Sequence, residues 1–163
     1  SDTAGRNAVY DLEGGVVHDE ISGTHVLKTG SAILLSKYHD LGPLPRQGGL
    51  HKIHKVLNKS TGVELAAKCF DKVAYFHKER KNLRELMMDR GGREYVTALV
   101  DVDESARVLY LELALGSLDQ QLDERGGAFN DDEVRVNITR ILHALNYLHS
   151  AKMMAHNDIK VCI

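Results

Sequence analysis

The sequence has 163 residues, of which 43% are hydrophobic and 27% are charged, and its formal net charge is −2 at pH 7. This composition is typical of a soluble globular protein. The charge lacks the strong basic character of most nucleic-acid-binding domains, and no apolar run approaches the roughly 20 residues of a membrane-spanning helix. We therefore expect neither nucleic acid nor membrane as a partner.

The cysteines and histidines suggest no covalent or metal framework. Cys69 and Cys162 are the only cysteines, and their wide separation predicts no disulfide. We therefore expect an intracellular protein, cytoplasmic or nuclear. His51 and His54 are three residues apart in a predicted strand and would point to opposite faces. His149, His156 and Cys162 lack the short paired spacings of zinc modules. The chain starts with Ser rather than Met, so we expect a trimmed chain or a fragment.

Short strands dominate the first two thirds of the chain. Residues 1–33 are rich in Gly, Ser, Thr and charge, and are expected to be an N-terminal extension that is either a weak hairpin or loose. Strands are then predicted over 33–41, 50–57 and 63–70, with a glycine-containing turn, NKSTG, between the last two.

One helix interrupts the predicted strands. Apolar residues among alternating charges over 73–90 indicate a helix that ends before Gly91-Gly92. Two more strands are predicted over 95–102 and 107–113, separated by a polar turn.

The last third is helical. A short helix is predicted over 117–125, and either Asn130 or Asp131 caps the helix that follows. That second helix carries an apolar stripe with steps of three and four residues, made of Val134, Ile138, Ile141, Leu142, Leu145 and Leu148. Strands with one helix, followed by helices, predict an α+β fold.

These elements resemble the first part of a eukaryotic-type protein kinase domain of the serine/threonine-like kind, over roughly residues 38–163. LAAKCF, residues 65–70, is similar to the third-strand V-A-I-K motif. The resemblance makes Lys68 the residue that holds the α- and β-phosphates of ATP. It also implies a glutamate partner on the following helix, with Glu79 preferred and Glu85 the alternative.

VLYLELALGSL, residues 108–118, resembles the fifth strand and the hinge of that family. The resemblance implies that Leu111 is the gatekeeper and that the backbone of residues 112–114 pairs with adenine. Apolar residues from two strands would then cover the purine. The implied adenine site consists of Ile53, Ala66, Leu111, Glu112, Leu113 and Ala114.

LHSAKMMAHNDIK, residues 148–160, resembles the catalytic loop, with one residue more than is common before His156 and Asn157 in place of arginine. Asp158 matches the aspartate that orients the substrate hydroxyl and accepts its proton. Lys160 matches the lysine that steadies the transferring phosphate, and His156 would brace the loop.

Two departures from the family pattern affect the expected activity. In the glycine-rich loop only Gly48 matches a motif glycine, although Gly42 is possible as a displaced first glycine. Ile163 stands where a magnesium-binding asparagine is expected, and the 163 residues contain no D-F-G or A-P-E. The residues that would bind Mg²⁺ are therefore not in this sequence.

The resemblance divides the chain into an extension at 1–33, a small lobe with the hinge at 34–114, and the start of a large lobe at 115–163. It implies ATP-dependent transfer to protein Ser/Thr hydroxyls, with Mg²⁺ and a protein substrate. The alternative is a pseudokinase or truncated scaffold module that binds a partner protein without catalysis. A non-kinase α+β domain with accidental matches is the third hypothesis.

Overall fold

A computed structural model describes residues 36–44, 52–156 and 159. Five strands form one antiparallel sheet in the order β1-β2-β3-β5-β4. The strands are β1 (Tyr38–Pro43), β2 (Lys52–Asn58), β3 (Glu64–Cys69), β4 (Leu99–Asp103) and β5 (Val108–Glu112). The helices are α1 (Val73–Leu86), α2 (Arg90–Tyr95), α3 (Leu118–Arg125) and α4 (Asp131–Asn146).

The sheet followed by helices confirms the predicted α+β class. The predicted N-terminal extension at 1–33 lies outside the described residues. Among the helices that are described, none is both long and apolar enough to cross a membrane.

The predicted boundaries on either side of Gly91-Gly92 are wrong. The first helix ends at Leu86 rather than at Arg90, and Gly91 and Gly92 lie inside the separate short helix α2. Tyr95, predicted to start a strand, is the last residue of that helix. The reason is local: Asp89 caps α2, so the helical conformation restarts at the glycines instead of stopping there.

The described residues form two compact units. The first unit contains residues up to 81 and residues 99–113, and the second contains 82–98 and the residues from 114 onward. The main hydrophobic cluster in the core of the first unit lies on one face of the sheet, where alternate strand positions are apolar. It consists of Tyr38, Val56, Leu65, Ala67, Cys69, Ala106, Val108 and Tyr110.

The two edge strands of the sheet meet across this core. The ring of Tyr38 on β1 stacks on Tyr110 with 3.9 Å between centroids. The Tyr38 hydroxyl donates to Asp101 on β4 at 2.6 Å, and the neighbouring Lys37 ammonium reaches the same carboxylate at 2.6 Å. Because β1 and β4 are the outermost strands, these contacts show that the sheet is rolled toward a closed barrel.

In the second unit, α4 begins with a complete capping box. Asn130 accepts the backbone N–H of Glu133, whose side chain accepts the N–H of Asn130. The predicted apolar stripe is exposed at its start and buried at its end. Val134 and Ile138 are 44% and 50% exposed, whereas Leu148 is buried. Leu148 lies in a π-helical turn, Tyr147–Ala151, that directly continues α4.

Candidate functional site

The lysine of the LAAKCF strand forms an ion pair with α1. Lys68 Nζ lies 2.6 Å and 2.8 Å from the two carboxylate oxygens of Glu79. The two side chains are only 20% and 31% exposed. The pair thus joins the middle of β3 to the helix, and it is Glu79, not the alternative Glu85, that contacts the lysine.

An aromatic side chain also supports the ammonium. Lys68 Nζ lies 5.4 Å from the centroid of the Phe70 ring, within the range of a cation–π contact. Phe70 is fully buried and meets Phe76 of α1 edge to face. Phe70 was not predicted as a site residue, although its position two beyond Lys68 places it on the same side of the strand.

A second ion pair joins α1 to the turn between β4 and β5. Arg80, the neighbour of Glu79, contacts Glu104 in the turn between β4 and β5. The Arg80 guanidinium also lies 5.6 Å from the Phe76 ring centroid. Two consecutive helix residues are therefore tied to the strands, which restrains rotation of α1 and keeps Glu79 near Lys68.

Apolar residues share the sheet face of Lys68. Residues directly opposite each other on neighbouring strands point to the same face. Ile53 lies opposite Lys68, Lys68 opposite Leu109, and Ala66 opposite Leu111. The structure therefore brings Ile53, Ala66 and Leu111 to the face that carries the ammonium, away from the core on the other face.

The remaining adenine-site residues lie at and beyond the end of β5. Glu112 is the last residue of the strand and lies opposite Leu65, so its side chain points to the other face. Leu113 is the last residue of the first unit, and the chain returns to the second unit at Ala114.

Three predicted site residues, Gly48, Asp158 and Lys160, lie outside the described residues, as does Asn157. Gly42, the alternative for the glycine-rich loop, lies in β1 at a register shift. Its φ of 97° is a conformation that few residues other than glycine adopt. Within the described ranges, no group of three or more His, Cys, Asp and Glu side chains could hold a metal ion.

The model of the protein kinase domain family matches residues 38–162. The individual relatives share less than a third of their residues with this chain over the matched ranges. Serine/threonine-protein kinase 33 of Mus musculus is 28% identical over 132 residues, which are 78% of this chain and 26% of that protein. Mitogen-activated protein kinase kinase kinase A of Dictyostelium discoideum is 28% identical over 155 residues, covering 88% of this chain and 15% of that protein.

A third relative, calcium-dependent protein kinase 5 of Plasmodium berghei, is 31% identical over 116 residues, which are 70% of this chain and 20% of that protein. The chain thus spans about a quarter or less of the length of these curated relatives. The agreement covers the whole described sheet and all four α-helices.

Proposed function

Because this chain belongs to the protein kinase domain family, we propose that it is part of an enzyme that transfers the γ-phosphoryl group of ATP to Ser or Thr hydroxyls of a protein. The relatives named above include serine/threonine-protein kinases, which supports this acceptor. The division into a small lobe ending at the hinge near 114 and a large lobe beginning at 115 stays a prediction.

The observation that carries the proposal is the ion pair between Lys68 and Glu79. The carboxylate holds the ammonium in one orientation, and the Phe70 ring supports it from a second direction. A lysine fixed in this way can hold the α- and β-phosphates of ATP without first losing rotamer freedom. A residue that is already oriented contributes more to binding than a mobile one.

The adenine ring would pack against apolar side chains on the same sheet face. Ile53, Ala66 and Leu111 flank Lys68 on its own strand and on the neighbouring strands. The backbone of residues 112–114, where β5 ends, would supply hydrogen bonds to the edge of the purine. Gly48 would let the backbone approach the phosphates.

Asp158 would orient the attacking hydroxyl and accept its proton, and Lys160 would stabilise charge on the transferring group. ATP, with Mg²⁺ as in the family generally, supplies the phosphoryl group and neutralises its charge. An intracellular location, cytoplasmic or nuclear, fits the use of this nucleotide.

A kinase-like binding module without catalysis is the second candidate. Only Gly48 matches a motif glycine of the glycine-rich loop, and a loop with fewer glycines would cover the phosphates less closely. Such a module would retain the Lys68–Glu79 pair for structure or nucleotide binding, and would act on a partner protein through its surface.

A test of ATP binding distinguishes a lysine that contacts the nucleotide from one that only pairs with Glu79. We expect ATP to raise the melting temperature of the chain, and Lys68→Met to abolish that rise. Lys37→Met is the matched control, because Lys37 also pairs with a carboxylate at 2.6 Å but at the far edge of the sheet. An equal ATP response in Lys68→Met and in the unaltered chain would contradict the proposal.

A further inference from the structure

Asp89 gathers three donors at the point where α2 begins. One carboxylate oxygen accepts the backbone N–H of Gly92 at 2.9 Å and the hydroxyl of Tyr147 at 2.5 Å. The other oxygen lies 2.6 Å from the ammonium of Lys152. Tyr147 is the first residue of the π-helical turn at the end of α4, and Lys152 directly follows that turn. The Asp89 side chain therefore ties the turn to α2 within the second unit.

The contacts of Asp89 favour the charged forms of both Asp89 and Lys152. Hydrogen bonds from Lys152, then from Tyr147 and the Gly92 amide, hold the pKa of Asp89 well below its usual range. The hydrogen bond to Asp89 in turn raises the pKa of Lys152. Both groups stay ionised near neutral pH, and the side chain of Lys152 is only 16% exposed although it carries a charge.

The glycines of α2 make room for the tyrosine. A methyl group on Gly91 would come within 2.6 Å of the Tyr147 ring, closer than non-bonded carbon atoms approach. The Tyr147 ring also lies 5.8 Å from the ring of Tyr95 at the other end of α2. The tyrosine is therefore seated on α2 along the length of the helix.

The end of α4 contains one residue more than a common helix end. In the usual Schellman closure, the N–H that returns to the helix lies five residues after the carbonyl it reaches. Here the N–H of Met154 reaches the carbonyl of Leu148, six residues earlier, at 2.9 Å. A π-helical turn accommodates such an added residue. The sequence likewise has one residue more before His156 than is common in the family.

The closure also carries backbone strain. Met153 has a φ of 52°, a conformation that costs about 1 kcal/mol or more for a residue other than glycine. Met153 is also largely exposed, so its own side chain does little to hold this conformation. Contacts of the neighbouring residues must hold it, and Lys152 supplies one directly before it in the chain.

We propose that Asp89 is a positioning residue that, through Tyr147 and Lys152, fixes the enlarged end of α4 and thereby the point from which the chain continues to the catalytic-loop motif of residues 156–160. This inference rests on the proposed function for its catalytic consequence. The positioning itself does not depend on catalysis.

Amide hydrogen exchange tests the positioning. In Asp89→Asn the N-cap is retained, because asparagine caps helices as well as aspartate, while the ion pair with Lys152 is lost. We expect exchange of the Met154 amide to accelerate about two- to fivefold, the range for loss of one partly exposed ion pair. Amides of β3 and β5 in the other unit should keep their rates.

The same change is expected in Lys152→Met, and the double variant should exchange no faster than either single one. Arg125→Met is the matched control, since Arg125 pairs with Glu133 at 2.6 Å in the same unit and should leave Met154 unaffected. Unchanged Met154 exchange in Asp89→Asn, additive effects in the double variant, or equal acceleration in all elements would overturn the inference.

Steady-state phosphoryl transfer by the full-length protein tests the catalytic consequence. Asp89→Asn should lower kcat about two- to fivefold and leave the KM for ATP unchanged, because the proposed ATP contacts lie on other elements. If Met154 exchange responds while kcat does not, the link to the catalytic loop is wrong. If the unaltered protein transfers no phosphoryl group, the proposed function fails, and the exchange result alone decides the positioning.

Discussion

The hydroxyl of Tyr38 donates a hydrogen bond to the carboxylate of Asp101, and this bond joins the first and the last strand of the sheet. Tyr38 is only 1% exposed, and its ring stacks on Tyr110. Tyr38 thus helps to hold the sheet in its rolled shape, because it contributes both an apolar surface and a polar contact.

Replacing Tyr38 by phenylalanine should lower the free energy of unfolding by about 1 kcal/mol, since the stacked ring stays and one hydrogen bond to a partly exposed carboxylate is lost. The urea midpoint of unfolding measures this change. Asp101→Asn, which retains an acceptor, should weaken the fold through the lost Lys37 pair instead. An unaltered midpoint in Tyr38→Phe would show that the edge contact does not stabilise the roll.

Asp101 should make stability depend on pH in acid. Burial tends to raise the pKa of this carboxyl, but hydrogen bonds from Lys37, Tyr38 and the Val102 amide outweigh it, and the pKa is lowered. The unfolded carboxyl, with a pKa of about 3.9, therefore takes up its proton first as the pH falls. The contribution of Asp101 to the free energy of unfolding is fully present above the pKa of the unfolded state. It is lost as the pH falls through the pKa of Asp101 in the folded state.

The stability difference between the unaltered chain and Asp101→Asn should therefore be largest near pH 7. It should shrink as the pH is lowered below about 4. Urea unfolding at a series of pH values measures both proteins directly. A difference that stays constant from pH 7 to pH 2 would contradict the account.

Substitution of Gly92 in α2 should lower the stability of the fold far more than substitution of Gly127. A methyl group on Gly92 would lie 1.4 Å from the carbonyl oxygen of Leu86, a backbone atom that cannot move aside cheaply. Gly92→Ala should therefore cost about 3 kcal/mol of stability. Gly127, with nothing within 4 Å of the added atom, is the matched control, and Gly127→Ala should be tolerated.

Cys69 should resist thiol reagents in the folded protein. Burial, with smaller contributions from Asp40 and Asp71, raises the pKa of its thiol to about 12, so the reactive thiolate is scarce at pH 8. In a Cys162→Ser background, labelling by an aromatic disulfide should follow the rate of unfolding and accelerate in urea. Complete labelling within the mixing time without denaturant would show that the strand opens readily.

Sequence reasoning predicted those features that depend on local patterns. The run VELAAKCF after the NKSTG turn predicted β3, and the polar residues before α4 predicted its cap, which is Asn130 in the structure. The glycine pair misled the prediction of α1, because apolar periodicity does not show the local cap at Asp89, and the contact of Gly91 with Tyr147 is tertiary. No periodicity reveals a residue 58 positions away in the sequence.

The candidate site was predicted in the same uneven way. Lys68 and Glu79 follow from a family motif and helix spacing, and their contact is present in the structure. Phe70 and the pair of Arg80 with Glu104 were missed, since each depends on how α1 lies against the sheet rather than on a motif. The roles of Asp158 and Lys160 stay predictions.

The most direct test of the central claim is transfer of radiolabelled γ-phosphate from ATP to a protein by the full-length protein that contains these residues. We predict phosphoserine or phosphothreonine as the product, with transfer abolished both in Lys68→Met and in Asp158→Asn and retained in Lys37→Met. ATP binding should persist in Asp158→Asn and be lost in Lys68→Met. Transfer that continues undiminished in Asp158→Asn, or that is absent from the unaltered protein despite ATP binding, would contradict the account.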